Sequence, residues 1–297
     1  MEIQEVKKIL NRNLQNERLD NLSSLIDKSV NFGTHILNWE IEKNNSHREN
    51  AVAQIFFKNI LEIADGISIL VKNSSIDNTK LLFRVLIENV LCLEYLLEND
   101  FKNRALAYIV ASIHKEIKFF TKLDPNTQAG KEFRAQLNKD KIYKKVPFIK
   151  IPVIGKQIED FELKLRSKHL SSIEAEYQRT HSKNKNPNWY SLYDGPVNLD
   201  SLAKYLNRQS LYEVYYRNCS EDIHSSNILK SNLIEKNGEI TFGAMRENYT
   251  ARYVVIEVLT CIIIAYSNFV DKRVPEKNQI YEKWYIDFNT KLDNTEF

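Results

Sequence analysis

Residues 80–97 read KLLFRVLIENVLCLEYLL, a run without Gly or Pro that is apolar nearly all the way round a helix. A helix of that kind has to be packed on several sides, so it predicts a central position. Its two inner charges, Arg84 and Glu88, are four residues apart and share one face. Working outward, the same periodicity recurs at Ile55, Phe56, Ile60, Ile63, Ile67 and Leu70, over Phe101 to about Leu123 with Arg104, Tyr108 and His114, and from about Ala244 to Val270. The short connection END-FKN between residues 97 and 104 predicts that the central helix and its successor form an antiparallel hairpin. Residues 1–43 predict one or two amphipathic helices, on Ile3, Val6, Leu10 and Leu14 and on Leu22, Leu25, Ile26 and Val30.

Only 7 Gly and 6 Pro punctuate 297 residues, too few for the tight turns of a sheet-rich fold or the loops of an α/β nucleotide fold. The expected fold is all-α, a multi-helix bundle with a basic, partly irregular middle insertion. Residues 1–125 form an N-terminal helical region, 126–197 the basic insertion and 198–297 a C-terminal helical region, the two helical regions sharing one core. Net charge is +3, but Lys131 to Lys156 carries eight Lys or Arg against Glu132 and Asp140, a local excess of six. The prolines of VPFIKIPVIG (146–155) and HSKNKNPNWYSLYDGPVN (181–198) predict extended or loop segments, with helix over Gln157 to Tyr177. SSNILKSNLIEKNGEITFG (225–243) reads as a connector, and Asn198, Asp200 and Ser210 as helix caps.

Several classes are set aside. MEIQEVKKIL lacks the pattern of a secretory signal, and the odd cysteines Cys92, Cys219 and Cys261 lie far apart in apolar helical contexts, which predicts reduced thiols and a cytoplasmic protein. The apolar stretch Val254 to Val270 contains Glu257, Ser267 and Asn268 and is shorter than the roughly 20 residues a bilayer requires, so no membrane association is expected. H-E-x-x-H, C-x-x-C, G-x-S-x-G and P-loop patterns are missing from the sequence. Glu221 and His224 match one half of a di-iron Glu-x-x-His unit, but no second half exists. No metal and no cofactor is expected. His35, His47, His114, His169 and His181 are scattered and read as surface or packing residues.

Chemistry concentrates in YEVYYRNCSEDIH, residues 212–224. At about 100° per residue, Arg217, Ser220 and His224 fall on one helical stripe. Cleavage of RNA without a metal needs a base for the ribose 2′-OH, an acid for the leaving oxygen and a cation for the phosphorane. Imidazole suits the first two because it titrates near neutrality, and guanidinium suits the third because its planar fork grips two phosphate oxygens. Ser220, Asn218 or Tyr216 would orient the phosphate or the 2′-OH.

The run from Arg217 and Asn218 to His224 resembles the motif of the HEPN superfamily of bacterial toxin, abortive-infection and CRISPR-associated ribonucleases: Arg, a polar residue, further residues, then His. Here six residues separate the pair. The resemblance implies an all-α fold, metal-independent endoribonuclease activity and a composite site made of two motifs across a dimer. A second likeness is wider. FRVLIENVLCLEYLL together with YEVYYRNCSEDIHSS is similar to a group of uncharacterised bacterial helical proteins found near defence genes, in which an Arg and Glu on a central helix and a Ser and His on a later one recur; Arg84, Glu88, Ser220 and His224 match.

Two readings stay open. In the first, the protein cleaves RNA in an anti-phage or toxin system, with Arg217, His224, Ser220 and Asn218 catalytic and Arg84, Glu88, Arg104 and Tyr216 supporting them. Lys141, Lys144, Lys145 and Lys150 then hold the RNA backbone, with Trp189 and Tyr190 stacking on unpaired bases. In the second, it is a non-catalytic adaptor or sensor for a protein partner or a small ligand. Arg84–Glu88 is then a paired buried network, the Arg217 stripe packs, and the basic run is a solvated connector.

Overall fold

The structure is a computed structural model that describes residues 4–293 apart from 13, 15, 45–46, 146–152, 220–232 and 237–238. The described chain is all-α: α1 (Glu17–Asn44), α2 (Arg48–Lys72), α3 (Ile76–Glu98), α4 (Phe101–Leu123), α5 (Gln128–Lys139), α6 (Ile154–Leu165), α7 (Ser171–Lys183), α8 (Leu199–Tyr205), α9 (Ala251–Arg273) and α10 (Asn278–Asp293). Between α8 and α9 lie a π-helical segment, Leu211–Tyr216, and an antiparallel hairpin, β1 (Leu233–Lys236) with β2 (Glu239–Phe242), in register Leu233 to Phe242. The chain divides into two compact units, residues 1–100 with 199–297, and residues 101–198. The helices expected to pair as a hairpin, α3 and α4, fall in different units.

In the first unit, α9 packs against α1, α2 and α3. By length and composition α9 is apolar enough to cross a membrane, and half of its most apolar stretch is buried inside this unit. Its Tyr266 and Phe269 rings meet Phe57 of α2 at 5.4 and 4.2 Å. Tyr266 is fully buried and its hydroxyl donates to the Ser29 carbonyl at 2.8 Å. This close approach needs Gly33 of α1, where a Cβ would stand 2.1 Å from the Tyr266 hydroxyl. Glu40 of α1 is completely buried, and Arg273 at the end of α9 neutralises it at 2.5 Å while also donating to Asn50 of α2 at 2.6 Å. A buried carboxylate persists only when paired in this way. Trp284 of α10 stacks on Phe32 of α1 at 4.2 Å.

The sequence periodicity fails at the N-terminus. Residues 4–12 form turns rather than a helix: the Ile9 and Leu10 amides both bond the Val6 carbonyl, and the Ile9 carbonyl, which a continuing helix would use internally, accepts from the distant Met245 amide at 2.8 Å. The expected connector 225–243 includes the hairpin, although residues 225–232 lie outside the described ones.

In the second unit, α4 packs on α5, α6, α7 and a 3-10 segment, Trp189–Asp194. Helix over Gln157 to Tyr177 is interrupted between α6 and α7. His114 of α4 lies 2.7 Å from Glu174 and its ring stacks on Tyr177 of α7 at 3.9 Å, so it packs within this unit. Arg179, Thr180 and the Tyr193 amide all bond the Glu176 carboxylate, and the Arg179 bond first of all brings its pKa down to about 2 despite partial burial.

Candidate functional site

Residues 209–219 are continuously helical, but the middle is wound as a π-helix, so the Arg217 amide reaches five residues back to the Tyr212 carbonyl. Ser210, expected as the cap, has helical dihedrals and makes no capping bond. The preceding helix closes instead at Asn207, whose φ of 56° is left-handed, and the Arg208 amide bonds the Ala203 carbonyl. Arg208 then forks onto Glu94 of α3, with Nε 3.1 Å from Oε2 and Nη2 3.0 Å from Oε1. π-helical turns are uncommon and concentrate at functional sites. Here the segment sends two adjacent tyrosines to different helices.

Tyr216 turns to α3. Its hydroxyl donates to Glu88 Oε1 at 2.6 Å and accepts from Arg84 Nη2 at 2.6 Å. The two charged partners stand 3.5 Å apart, and the guanidinium lies 4.7 Å from the ring centroid. Burial pushes the Tyr216 hydroxyl up to about 12, helped by Glu88 and opposed by Arg84. Burial acts against the Arg84 charge, but the bond to Tyr216 and the charge of Glu88 outweigh it and its pKa rises. The three groups form a clamp between α3 and the π segment. Arg104 lies in α4 of the other unit.

Tyr215 turns to α9, where its hydroxyl donates to Glu257 Oε1 at 2.9 Å. Burial and the neighbouring carboxylate both raise its pKa. Beside this bond is a cavity of about 430 Å³, walled by the start of α3 (Asp77, Thr79, Lys80, Phe83), by Val214, Tyr215, Asn218 and Cys219, and by the start of α9 with Tyr249, Tyr253 and Glu257. Sequence reasoning singled out Asn218 here and passed over Tyr215, Tyr253, Asp77 and Lys80. The available signal was Glu257, one carboxylate inside the apolar run VVIEVLTCIIIAY.

Of the expected stripe, Arg217 and Asn218 are described, while Ser220 and His224 lie outside the described residues. The Arg217 side chain is 63% exposed and pairs with Glu213 at 2.9 Å. That partner raises its pKa. The Asn218 amide donates to the Val214 carbonyl at 2.5 Å and its residue lines the cavity.

In the second unit, Lys141 and Lys144 are exposed beside exposed Ile142 and Tyr143. Lys150 lies outside the described residues, and for Lys145 only its place in the short 3-10 turn is described. Trp189 and Tyr190 are buried, not displayed for bases. Trp189 sets its edge against Tyr108 at 5.8 Å, because the 3-10 segment tucks both rings into the core of that unit. Among the described residues no cluster of three or more His, Cys, Asp or Glu is grouped as metal ligands would be.

A family model described as a family of unknown function (DUF5677) matches residues 50–240, more than half of the chain. The chain belongs to that family. No curated protein and no solved structure matches it. The family match runs from α2 into β2, so it takes in the Arg84–Tyr216–Glu88 clamp and Arg217 but stops short of Tyr253 and Glu257.

Proposed function

We propose that this chain is a metal-independent endoribonuclease of the HEPN type, acting in the cytoplasm in bacterial anti-phage or toxin defence. In this reading Arg217 holds the scissile phosphate, His224 moves the proton between the ribose 2′-OH and the leaving oxygen, and Ser220 and Asn218 orient the group. The products are a 2′,3′-cyclic phosphate and a 5′-hydroxyl. A second copy of the chain supplies the paired motif. Lys141 and Lys144, exposed in their own unit, are suited to the RNA backbone.

The observation that carries the reading is the exposure of Arg217. Its guanidinium is not built into the core: it is 63% exposed and held by one surface pair with Glu213. Water and salt screen such a pair, so a phosphate that binds both prongs of the fork can displace it. The test is incubation of purified protein with single-stranded RNA in excess EDTA. Nicking is expected, and its loss in Arg217→Ala and His224→Ala. Arg217→Ala should leave the melting temperature close to that of the native protein, as exposed substitutions do. Nicking that survives both substitutions refutes the assignment.

A second reading, a sensor for a small ligand, is favoured by the cavity beside Tyr215, whose volume of about 430 Å³ is that of a small-molecule site. Under it, the protein binds a ligand and leaves RNA intact.

A further inference from the structure

The cavity between α3, the π segment and α9 has a chemistry that narrows its ligand. Its walls are aromatic: Phe83 is buried, and Tyr215 lies within 6.2 Å of both Phe83 and Tyr253, centroid to centroid. Tyr253 and Tyr249 are 55% and 75% exposed at the cavity. Core packing does not account for two large rings left in solvent there, whereas flat aromatic faces favour a planar ligand.

The polar groups are more selective. Glu257 uses Oε1 to accept from Tyr215, and its Oε2 bonds none of the described residues. Each carboxylate oxygen has two acceptor positions, so the group still accepts two N–H bonds side by side. Among the described residues, the other charges lining the cavity are Asp77 and Lys80, paired at 3.1 Å. Among the described residues, two carboxylates against one ammonium disfavour a phosphate and favour a neutral ligand rich in N–H donors. Among nucleobases only guanine presents two adjacent donors, N1–H and N2–H, on one edge; adenine and cytosine set an acceptor beside their donor, and uracil flanks one N–H with two carbonyls. Guanine O6 and N7 accept from a cation of the Lys80 kind.

We propose that the cavity lined by Phe83, Tyr215, Tyr253 and Glu257 binds a guanine base, with the Glu257 carboxylate accepting its two adjacent N–H groups. The proposal concerns recognition and does not require the Arg217 face to cleave RNA. The same edge is offered by a free nucleoside and by an unpaired guanine in RNA.

The test is calorimetric titration of the full chain with guanosine, inosine, adenosine, cytidine and uridine, and with short single-stranded RNAs that contain one guanine or none. Guanosine, or the guanine-containing RNA, is expected to bind at least about tenfold more tightly than its counterparts, the discrimination of one good two-bond contact. Inosine, which lacks the N2 amino group, falls between. Glu257→Gln removes the preference. Tyr253→Ala, at an exposed ring, weakens guanosine binding while keeping the preference, and it carries the test with inosine should Glu257→Gln fail to fold. Binding by free guanosine identifies a nucleoside ligand, and binding by the RNA alone identifies a base in a chain; both uphold the proposal. Equal binding of all bases, no binding in either arm, or an undiminished preference in a folded Glu257→Gln protein overturns it. A chain that prefers guanine but nicks no RNA keeps this site and loses the ribonuclease reading; one that nicks RNA without preferring guanine does the reverse.

Discussion

Tyr216→Phe tests whether the π segment is clamped to α3 by one hydroxyl. That hydroxyl makes two bonds of 2.6 Å, to Arg84 and to Glu88, both to ionised partners. A hydrogen bond to a charged group contributes about 1.5–3 kcal/mol. Arg84 and Glu88 remain 3.5 Å apart and are 22% and 40% exposed, so water and direct pairing recover part of the loss. The expected destabilisation is about 1–2 kcal/mol in urea unfolding followed by tryptophan fluorescence, with an unchanged m-value. For a unit of roughly 200 residues this lowers Tm by about 2–8 °C.

Adding Glu88→Gln should cost less than the sum of the single changes, by about 0.5 kcal/mol or more, because the two groups share one bond. The pH dependence has a definite sign. Folded Tyr216, pushed up to about 12, keeps its proton between the ordinary tyrosine pKa near 10 and 12, whereas the unfolded chain releases it. The hydroxyl's contribution is therefore complete below about pH 10 and falls as pH rises towards 12, so the gap between native protein and variant narrows over that window. A Tm within about 1 °C of native, strict additivity with Glu88→Gln, or a gap that widens with pH refutes the clamp.

Glu40→Ala leaves Arg273 its bond to Asn50 but takes away its buried counter-charge, and about 3–5 kcal/mol of stability should be lost in the same urea assay. Gly33→Ala places a Cβ 2.1 Å from the Tyr266 hydroxyl and 2.4 Å from Leu61, so overpacking should cost about 1–3 kcal/mol and break the bond to Ser29, read as a lower midpoint. Glu176, held at about 2 chiefly by Arg179, contributes stability that is present above the ordinary carboxylate range and lost as pH falls from about 4.5 to about 2. Glu176→Gln should flatten acid unfolding monitored at Trp189 in that window, and an unaltered acid limb counts against the ion pair.

The helices were legible where burial is continuous along one stripe. Residues 51–71 and 80–97 are helical because their apolar residues meet neighbours at every turn. The same spacing at Val6 and Leu10 forms no helix, since the Ile9 carbonyl bonds Met245 and periodicity carries no information about distant competitors. The hairpin had a local signal, Asn237-Gly238 between strand-length runs, that was passed over in a helical context. Trp189 and Tyr190 illustrate the opposite limit. Their polar, proline-bearing surroundings suggested display to solvent, but a 3-10 segment buries both rings.

At the site, Arg84 and Glu88 can be placed on one face of a helix from their spacing alone. That follows from a fixed angular step per residue, a property of the local backbone. Helix packing alone brings Tyr216 to the Arg84–Glu88 pair from 132 and 128 residues away, and Tyr215 to Glu257 across 42 residues to wall a cavity. Such meetings depend on how helices pack and where a π turn redirects neighbouring side chains, so no local spacing encodes them.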